Sequence, residues 1–503
     1  MSTEVETKTA APARVIENYV DGRWVTSRSE RSLDVLDPAT LDVLAQVPLS
    51  TPAELDDAVA AARAAFPGWR DTPVIERARI LFSLRERLTA DADELARLVT
   101  LEMGKTRADA RAEVGRMIEM VECAAAAPTT MQGRILENVS HEVDAETIRQ
   151  PVGVCAAIVP FNFPAMVPFW FLPFAIVCGN TFILKPSEQV PLTQNRAYEI
   201  LHELGLPAGV VNLVNGDAEV VNAILDSPGI DAVSFVGSAR VARHVYERAG
   251  ATGKRVQALG GAKNHMVVMP DAVVDKTVSG IISSAFGAAG QRCMAGSVVV
   301  TVGDARERLL EPLASATREL RVGNGADPDV AVGPVISCEA RDRIGGWIDR
   351  AASDGATVLV DGRDPGRSDG AYVGPTILTD VTPEMPVVGE EVFGPVLAIV
   401  HVDTLDEAID VVNRSRYGNG TSIFTESGAA VRRYRHEVEA GMIGVNIGVA
   451  APVAFFPFSG WKDSFLGDLH AHGPDAVDFY TRKKTVTSRW FTQEGGTKLF
   501  GEH

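Results

Sequence analysis

Cys293 closes a run of small residues, Phe286-Gly287-Ala288-Ala289-Gly290-Gln291-Arg292-Cys293, that joins a helical pattern to a strand pattern at 297–301. Residues this small let a backbone approach a ligand closely. A thiolate is the nucleophilic form of cysteine, and a neighbouring cation such as Arg292 favours it. These residues alone leave Cys293 open between a nucleophile and a buried structural thiol. The other four cysteines, Cys123, Cys155, Cys178 and Cys338, lack such flanks and read as structural. Asn162, in Pro160-Phe161-Asn162-Phe163-Pro164, offers an NH₂ donor for an oxyanion, or an ordinary loop cap. Lys185 and Glu188 follow a candidate strand, where they could grip hydroxyl groups or be solvated surface charge. Gly237-Ser238 lies where a strand meets a helix, and amides with a helix dipole favour phosphate there, although such junctions are common.

Candidate strands at 154–159, 181–184, 210–214, 232–236 and 256–259 alternate with helical patterns at 192–204 and 241–249. That repetition predicts a doubly wound parallel sheet whose ligands bind beyond the carboxyl ends of the strands. A second strand–helix set runs from 266 to roughly 461. Upstream, Thr51-Pro52-Ala53-Glu54 is a capping box with proline at the first helical position, and helical pattern continues from 74 to about 127. Residues 133–150 alternate polar and apolar, as a two-stranded arm would. The tail at 476–490 is β-prone (Val477, Phe479, Tyr480, Val486) and suited to pair with the arm or another subunit. The expected division is 1–132 with 151–258, then 259–462, with 133–150 and 476–498 as arm and tail.

A chain of 503 residues exceeds one core and implies two or three units. Its formal charge of −18 argues against a nucleic-acid partner, and an anionic substrate would need a local positive cluster. The apolar run 156–184 contains Pro160, Pro164, Pro168, Pro173 and Asn162, so it reads as buried core and not a membrane span. Five scattered cysteines without metal-ligand spacing argue against a disulfide framework and a metal site; His470 and His472 form no recognised ligand set either. Met1 to Arg14 is polar without an apolar signal core, so a reducing compartment such as the cytoplasm is expected.

The stretch Ala285 to Cys293 resembles the catalytic-cysteine motif of the aldehyde dehydrogenase superfamily. Pro160–Pro164 resembles its P-x-N-F-P segment, Lys185-Pro186-Ser187-Glu188 its K-P-S-E segment, and Phe235-Val236-Gly237-Ser238 its F-x-G-S loop. Glu391-Val392-Phe393-Gly394-Pro395 is similar to E-x-F-G-P. These stand in family order from Tyr19-Val20-Asp21-Gly22 to Phe456-Pro457-Phe458-Ser459-Gly460, so the resemblance spans nearly the whole chain. It implies an α/β fold with an NAD-binding unit, a second α/β catalytic unit and a small β oligomerisation arm. It also implies Cys293 as nucleophile, and Asn162 with the Cys293 N–H as oxyanion hole. Val159, Phe161, Lys185, Glu188, Gln189, Gly237, Ser238, Gly260, Glu391 and Phe393 would hold NAD. Within that set Lys185 and Glu188 take the adenosine ribose, Glu188 repelling a 2′-phosphate, and Glu391 and Phe393 the nicotinamide side. Many relatives carry a second glycine where Ala242 stands.

One departure is informative. Hydrolytic relatives open an E-L-G-G-K motif with a glutamate that activates water, but here the stretch reads Gln257-Ala258-Leu259-Gly260-Gly261-Ala262-Lys263-Asn264. Aligned on Leu-Gly-Gly the position is Ala258, and a slip of one gives Gln257; neither accepts a proton as a carboxylate does. The pattern resembles the CoA-acylating methylmalonate-semialdehyde dehydrogenase branch, through Gly261–His265, Gln291–Ala295, Phe455–Lys462 and Asp478–Lys484. That branch implies coenzyme A as co-substrate and a homotetramer. It also implies a semialdehyde whose carboxylate meets two arginines, here Arg116 and Arg292, geometry that paired guanidinium groups suit. A surface ion pair is the plainer reading of Arg116. A hydrolytic aldehyde dehydrogenase with another base, and a binding protein that kept the fold without turnover, are the alternatives.

Overall fold

The computed structural model describes residues 14–491. The polar stretch before residue 14 and the tail beyond 491 lie outside the described residues. The first helix, Pro52–Asp71, starts where its capping box predicts: the Thr51 N–H donates to Glu54 Oε2 at 2.8 Å. Helices Val74–Ala90, Ala92–Met103 and Arg107–Ala125 follow, burying Leu81, Leu84, Val99, Val114 and Met117 at helical spacing.

Five strands form the centre of an eight-stranded sheet, in the spatial order Arg255–Leu259, Ala232–Val236, Val154–Ile158, Thr181–Lys185, Val211–Leu213, all parallel. Their near-continuous apolar runs suit strands covered on both faces. Antiparallel strands close the edges: Phe465–Gly467 on one side, Asn18–Val20 and Arg23–Val25 on the other. From Val154–Ile158 the chain steps outward one way, then returns to its other flank as Ala232–Val236. The crevice between those two strands is therefore the topological switch point where such sheets bind ligands.

A second sheet of seven strands runs Thr357–Val360, Thr376–Thr379, Val396–Val402, Gly296–Val302, Asn264–Val268, Gly420–Phe424, Met442–Val445. All are parallel except the first. The fold is thus α/β with two doubly wound sheets. The proline-broken run 156–184 is almost wholly buried, folding as a strand, two short helices (Met166–Phe169 and Leu172–Val177) and another strand. Among the described residues no helix is long and apolar enough to cross a membrane.

The arm forms as Arg134–Ser140 paired antiparallel with Val143–Pro151, and the tail strand Thr481–Arg489 adds to it, from Thr481 opposite Pro151 to Arg489 opposite Val143. The β-prone tail is only partly strand, because Gly473–Phe479 is a helix. Pro474 and Asp475 in its first turn, and burial of Ala476, Val477 and Phe479, outweigh the weak β-preference of valine and phenylalanine.

Candidate active site

Cys293 is fixed from both sides by backbone bonds. The helix Val274–Phe286 ends in a turn where Ala288, Ala289 and Gly290 are all left-handed, at φ 51°, 52° and 69°. Non-glycine residues rarely hold that conformation unless surroundings impose it. Here the Ala288 N–H donates to Asp109 Oδ2 at 3.0 Å, and Gln291 Oε1 accepts the Ile336 N–H at 3.0 Å. A Cβ on Gly290 would lie 2.2 Å from the Gly394 carbonyl oxygen, so this loop is pressed against the Glu391 segment. Beyond the turn, the Cys293 carbonyl accepts from Asn264 Nδ2 at 2.8 Å and Asn419 Nδ2 at 3.0 Å. Asn162, buried, donates from Nδ2 to the Gln291 carbonyl at 3.0 Å, which sets its amide beside the cysteine loop.

Two cavities meet at Cys293. The larger, about 570 Å³, lies beyond the carboxyl ends of the strands at the switch point and is lined by Val159, Phe161, Asn162, Glu188, Gln189, Gly237, Ser238, Gly260, Glu391 and Phe393. Ser238 is the N-cap of Ala239–Ala251, whose free amides and dipole face the cavity. Lys185 lies beneath the wall, its Nζ 2.7 Å from Glu188 Oε2. The smaller cavity, about 250 Å³, has apolar walls of Met120, Phe163, Met166, Trp170 and Phe458, and carries Arg116 and Arg292 beside Cys293. Each residue expected to act as nucleophile, oxyanion donor, carboxylate ligand or NAD contact therefore lines one of these two cavities, except Lys185, which lies behind the wall.

A family model for the aldehyde dehydrogenase family matches residues 24–486. The chain belongs to the aldehyde dehydrogenase family. It is 52% identical over 478 residues to malonate-semialdehyde dehydrogenase 1 of Geobacillus kaustophilus, covering 95% of this chain and 98% of that one. It is 51% identical to malonate-semialdehyde dehydrogenase of Listeria monocytogenes, covering 95% and 98%. The crystal structure of methylmalonate-semialdehyde dehydrogenase from Oceanimonas doudoroffii superimposes with a TM-score of 0.94 at 46% identity, covering 95% of this chain and 99% of that one. A Sinorhizobium meliloti protein crystallised with NAD gives 0.94 at 42% identity, covering 96% and 100%.

The electrostatics of this aldehyde dehydrogenase site differ in one respect from the sequence reading. Burial pushes the Cys293 thiol up to about 12, and the Glu391 charge adds to the effect; the amides of Cys293 and Met294 and the ammonium of Lys105 oppose it. Arg292 is not a free cation beside the thiol. Its Nη2 is held 2.6 Å from Asp109 Oδ1 and its Nη1 donates to the Ser283 carbonyl at 3.2 Å, so Asp109 offsets part of its charge. Arg116 donates to Glu119 Oε2 at 2.5 Å and to the Pro452 carbonyl, the ion pair its plainer reading expected, while still facing the cavity.

Among the described residues, the carboxylates lining the two cavities are Asp109, Glu113, Glu188 and Glu391. The first three are in ion pairs with Arg292, Lys105 and Lys185. Burial pushes Glu391 up to about 7, against the Ala262 N–H at 3.2 Å and the nearby Lys263. Ala258 packs in the apolar cluster with Phe235, Ala242 and Val256, and Gln257 Nε2 donates to Ser234 Oγ at 2.8 Å. Neither is among the residues lining the cavities.

Sequence reasoning missed Lys105, Glu113, Asn264, Asn419, Arg343 and His472. Asn264 stood inside a quoted motif, and its role as a backbone clamp had no separate signal. Arg343 lines the larger cavity and donates to the Val392 carbonyl at 2.6 Å. His472 is buried at a left-handed φ of 46°, its ring centre 5.5 Å from that of Trp170, and burial pushes it down to about 3. It is a neutral wall of the smaller cavity.

Proposed function

We propose that this chain is an NAD-dependent, CoA-acylating dehydrogenase of malonate or methylmalonate semialdehyde. The observation that carries the reading is Cys293 at the single junction between a cavity with two guanidinium groups and a cavity shaped for a dinucleotide. NAD fits the larger cavity: the Ser238 helix terminus suits its phosphates, and Glu188 and Glu391 are acceptors for its two riboses. Glu188 also disfavours a 2′-phosphate. When bound, NAD supplies the hydride acceptor.

Arg116 and Arg292 receive the substrate carboxylate, which points the aldehyde carbon at Cys293. The thiolate attacks, and the oxygen that becomes negative is held by the second N–H of Asn162 Nδ2 and by the Cys293 N–H. Loss of hydride from that carbon leaves a thioester on Cys293. The carboxylate is then β to the thioester carbonyl, so it departs as CO₂ and the resulting enolate takes a proton. With no free carboxylate at positions 257 and 258, water is poorly activated, and the CoA thiol displaces Cys293 to give acetyl-CoA or propanoyl-CoA. A homotetramer joined through the arm, a cytoplasmic setting, and a cofactor unit (1–132, 151–258) next to a catalytic unit (259–462) complete the reading.

A hydrolytic enzyme is the second reading, favoured by Glu391, a carboxylate poised near neutrality on the cofactor side. Incubating protein, NAD and each semialdehyde with and without CoA, with products identified by mass spectrometry, separates the two. CoA-dependent acyl-CoA and CO₂ are expected; free acid formed equally fast without CoA would overturn the acylating reading.

A further inference from the structure

One side of the helix Arg107–Ala125 is bonded to three of the loops around Cys293. Asp109 takes the Ala288 amide and the Arg292 guanidinium of the cysteine loop. One turn on, Glu113 Oε1 takes the amides of Ala165 and Met166 at 2.8 and 3.1 Å, just after Asn162. Further along, Glu119 takes the Ala454 amide at 3.0 Å, in the loop that brings Pro452 and Phe458 to the smaller cavity. The other oxygen of Glu113 holds Lys105 Nζ at 2.6 Å, and that ammonium sits 3.6 Å from the ring centre of Phe163, the residue after Asn162. The two side chains are 1% and 0% exposed. Lys105 has no slack: it follows the left-handed Gly104 (φ 84°), and a Cβ on Gly325 would lie 2.2 Å from its carbonyl oxygen.

An enclosed ion pair is a weak source of stability, because desolvating two charges offsets most of their attraction. A pair whose other contacts all lead to the Asn162 turn has a different use. We propose that Lys105 and Glu113 are positioning residues for the reaction at Cys293: Glu113 fixes the turn that aims Asn162, and Lys105 holds a positive charge under the cavity that favours the thiolate and the developing oxyanion. This rests on the reading of Cys293 as nucleophile and Asn162 as oxyanion donor. The other charged groups around Cys293 do not supply that charge. Glu391 opposes it from the cofactor side, the Arg292–Asp109 and Arg116–Glu119 pairs are part-exposed and screened by solvent where Lys105 and Glu113 are enclosed, and His472 is neutral. Of the buried pair, it is the ammonium that favours the thiolate; burial pushes that ammonium down, and the Glu113 carboxylate 2.6 Å away opposes the loss of its proton.

The test replaces the pair by neutral side chains of similar size, Lys105→Met with Glu113→Gln, which keeps an acceptor for the two amides. Alkylation of Cys293 by iodoacetamide at fixed mildly alkaline pH, read by mass spectrometry, needs no aldehyde, NAD or CoA. Failure of the proposed reaction therefore leaves this readout intact. The double variant is expected to alkylate about tenfold more slowly, the equivalent of about one unit in the thiol titration. Its kcat for NADH formation should fall about tenfold or more with KM little changed, as for a contact made only in the transition state. The single variants should part in sign: Lys105→Met slows alkylation, whereas Glu113→Gln leaves it equal or faster and still lowers kcat. Lys105→Arg, which keeps the charge, should restore the alkylation rate. A folded double variant with wild-type alkylation and kcat overturns the proposal. If the double variant does not fold, a folded Glu113→Gln with wild-type kcat, or a folded Lys105→Arg as slow as expected for the neutral replacement, overturns it equally.

Discussion

A thiol held near 12 by burial needs its charge-favouring groups, and the residue that most opposes them by charge is Glu391. That carboxyl, itself raised to about 7, ionises across neutrality, and its two effects have opposite signs. As pH rises through about 7 the ionised acceptor bonds ribose hydroxyls more strongly, so NAD affinity should rise, while the added negative charge holds Cys293 back. Glu391→Gln is expected to flatten the pH dependence of NAD binding between about pH 6 and 8, followed by fluorescence titration, and to speed Cys293 alkylation. A wild-type affinity independent of pH over that window contradicts the assignment. Linkage follows the same sign: a carboxyl whose folded value is raised binds more protons folded than unfolded, so its contribution to stability declines from about pH 4.5 to 7. Asn162→Ala should cost about 10²–10³ in kcat, the usual loss for one oxyanion donor. Arg116→Met should raise KM for a carboxylated semialdehyde by about tenfold or more, since a charged hydrogen bond is worth about 1.5–3 kcal/mol. It should leave KM for propanal nearly unchanged; equal effects on both aldehydes would place the carboxylate elsewhere.

At the scale of elements, the turn before Cys293 makes the sharpest demand. Gly290→Ala puts a methyl within 2.2 Å of the Gly394 carbonyl oxygen at a φ that side chains avoid. The loop must move, so NADH formation should collapse and the melting temperature fall, measured by initial rates and differential scanning fluorimetry; wild-type kinetics would show that the loop tolerates displacement. Small residues there were legible in the sequence as permission for close approach, but what they approach was not. The parallel strands were legible because their apolar runs and spacing are set locally, and the capping box of Pro52–Asp71 because its contacts span three residues. Lys105, Glu113, Asn264 and Asn419 were not, because each acts through a partner distant in sequence: Glu113 on Ala165, Asn264 and Asn419 on the Cys293 carbonyl. The ion pair of Arg292 was hidden for the same reason, since adjacency to Cys293 is visible in a sequence and its partner Asp109 is not.

For the whole molecule, the arm is the feature a single chain leaves unexplained. Its first strand, Arg134–Ser140, is exposed along its whole length, with Ile135 at 67% and Leu136 at 65%, and Trp490 and Phe491 extend the apolar surface at 65% and 76%. Exposed apolar strands with an open edge invite pairing with another chain, which is the role the tetramer reading gives them. The residues lining the two cavities, by contrast, lie outside the arm and the tail strand. Assembly and chemistry should therefore separate. Leu136→Glu, a charge at a largely exposed side chain on the arm's edge strand, is expected to lower the mass seen by light scattering while leaving the fold and the Cys293 alkylation rate intact. Unchanged mass would place the subunit contact elsewhere. Lost alkylation in a folded, dissociated variant would mean that a neighbouring subunit helps to hold the cysteine loop, so that the site is completed only in the assembly.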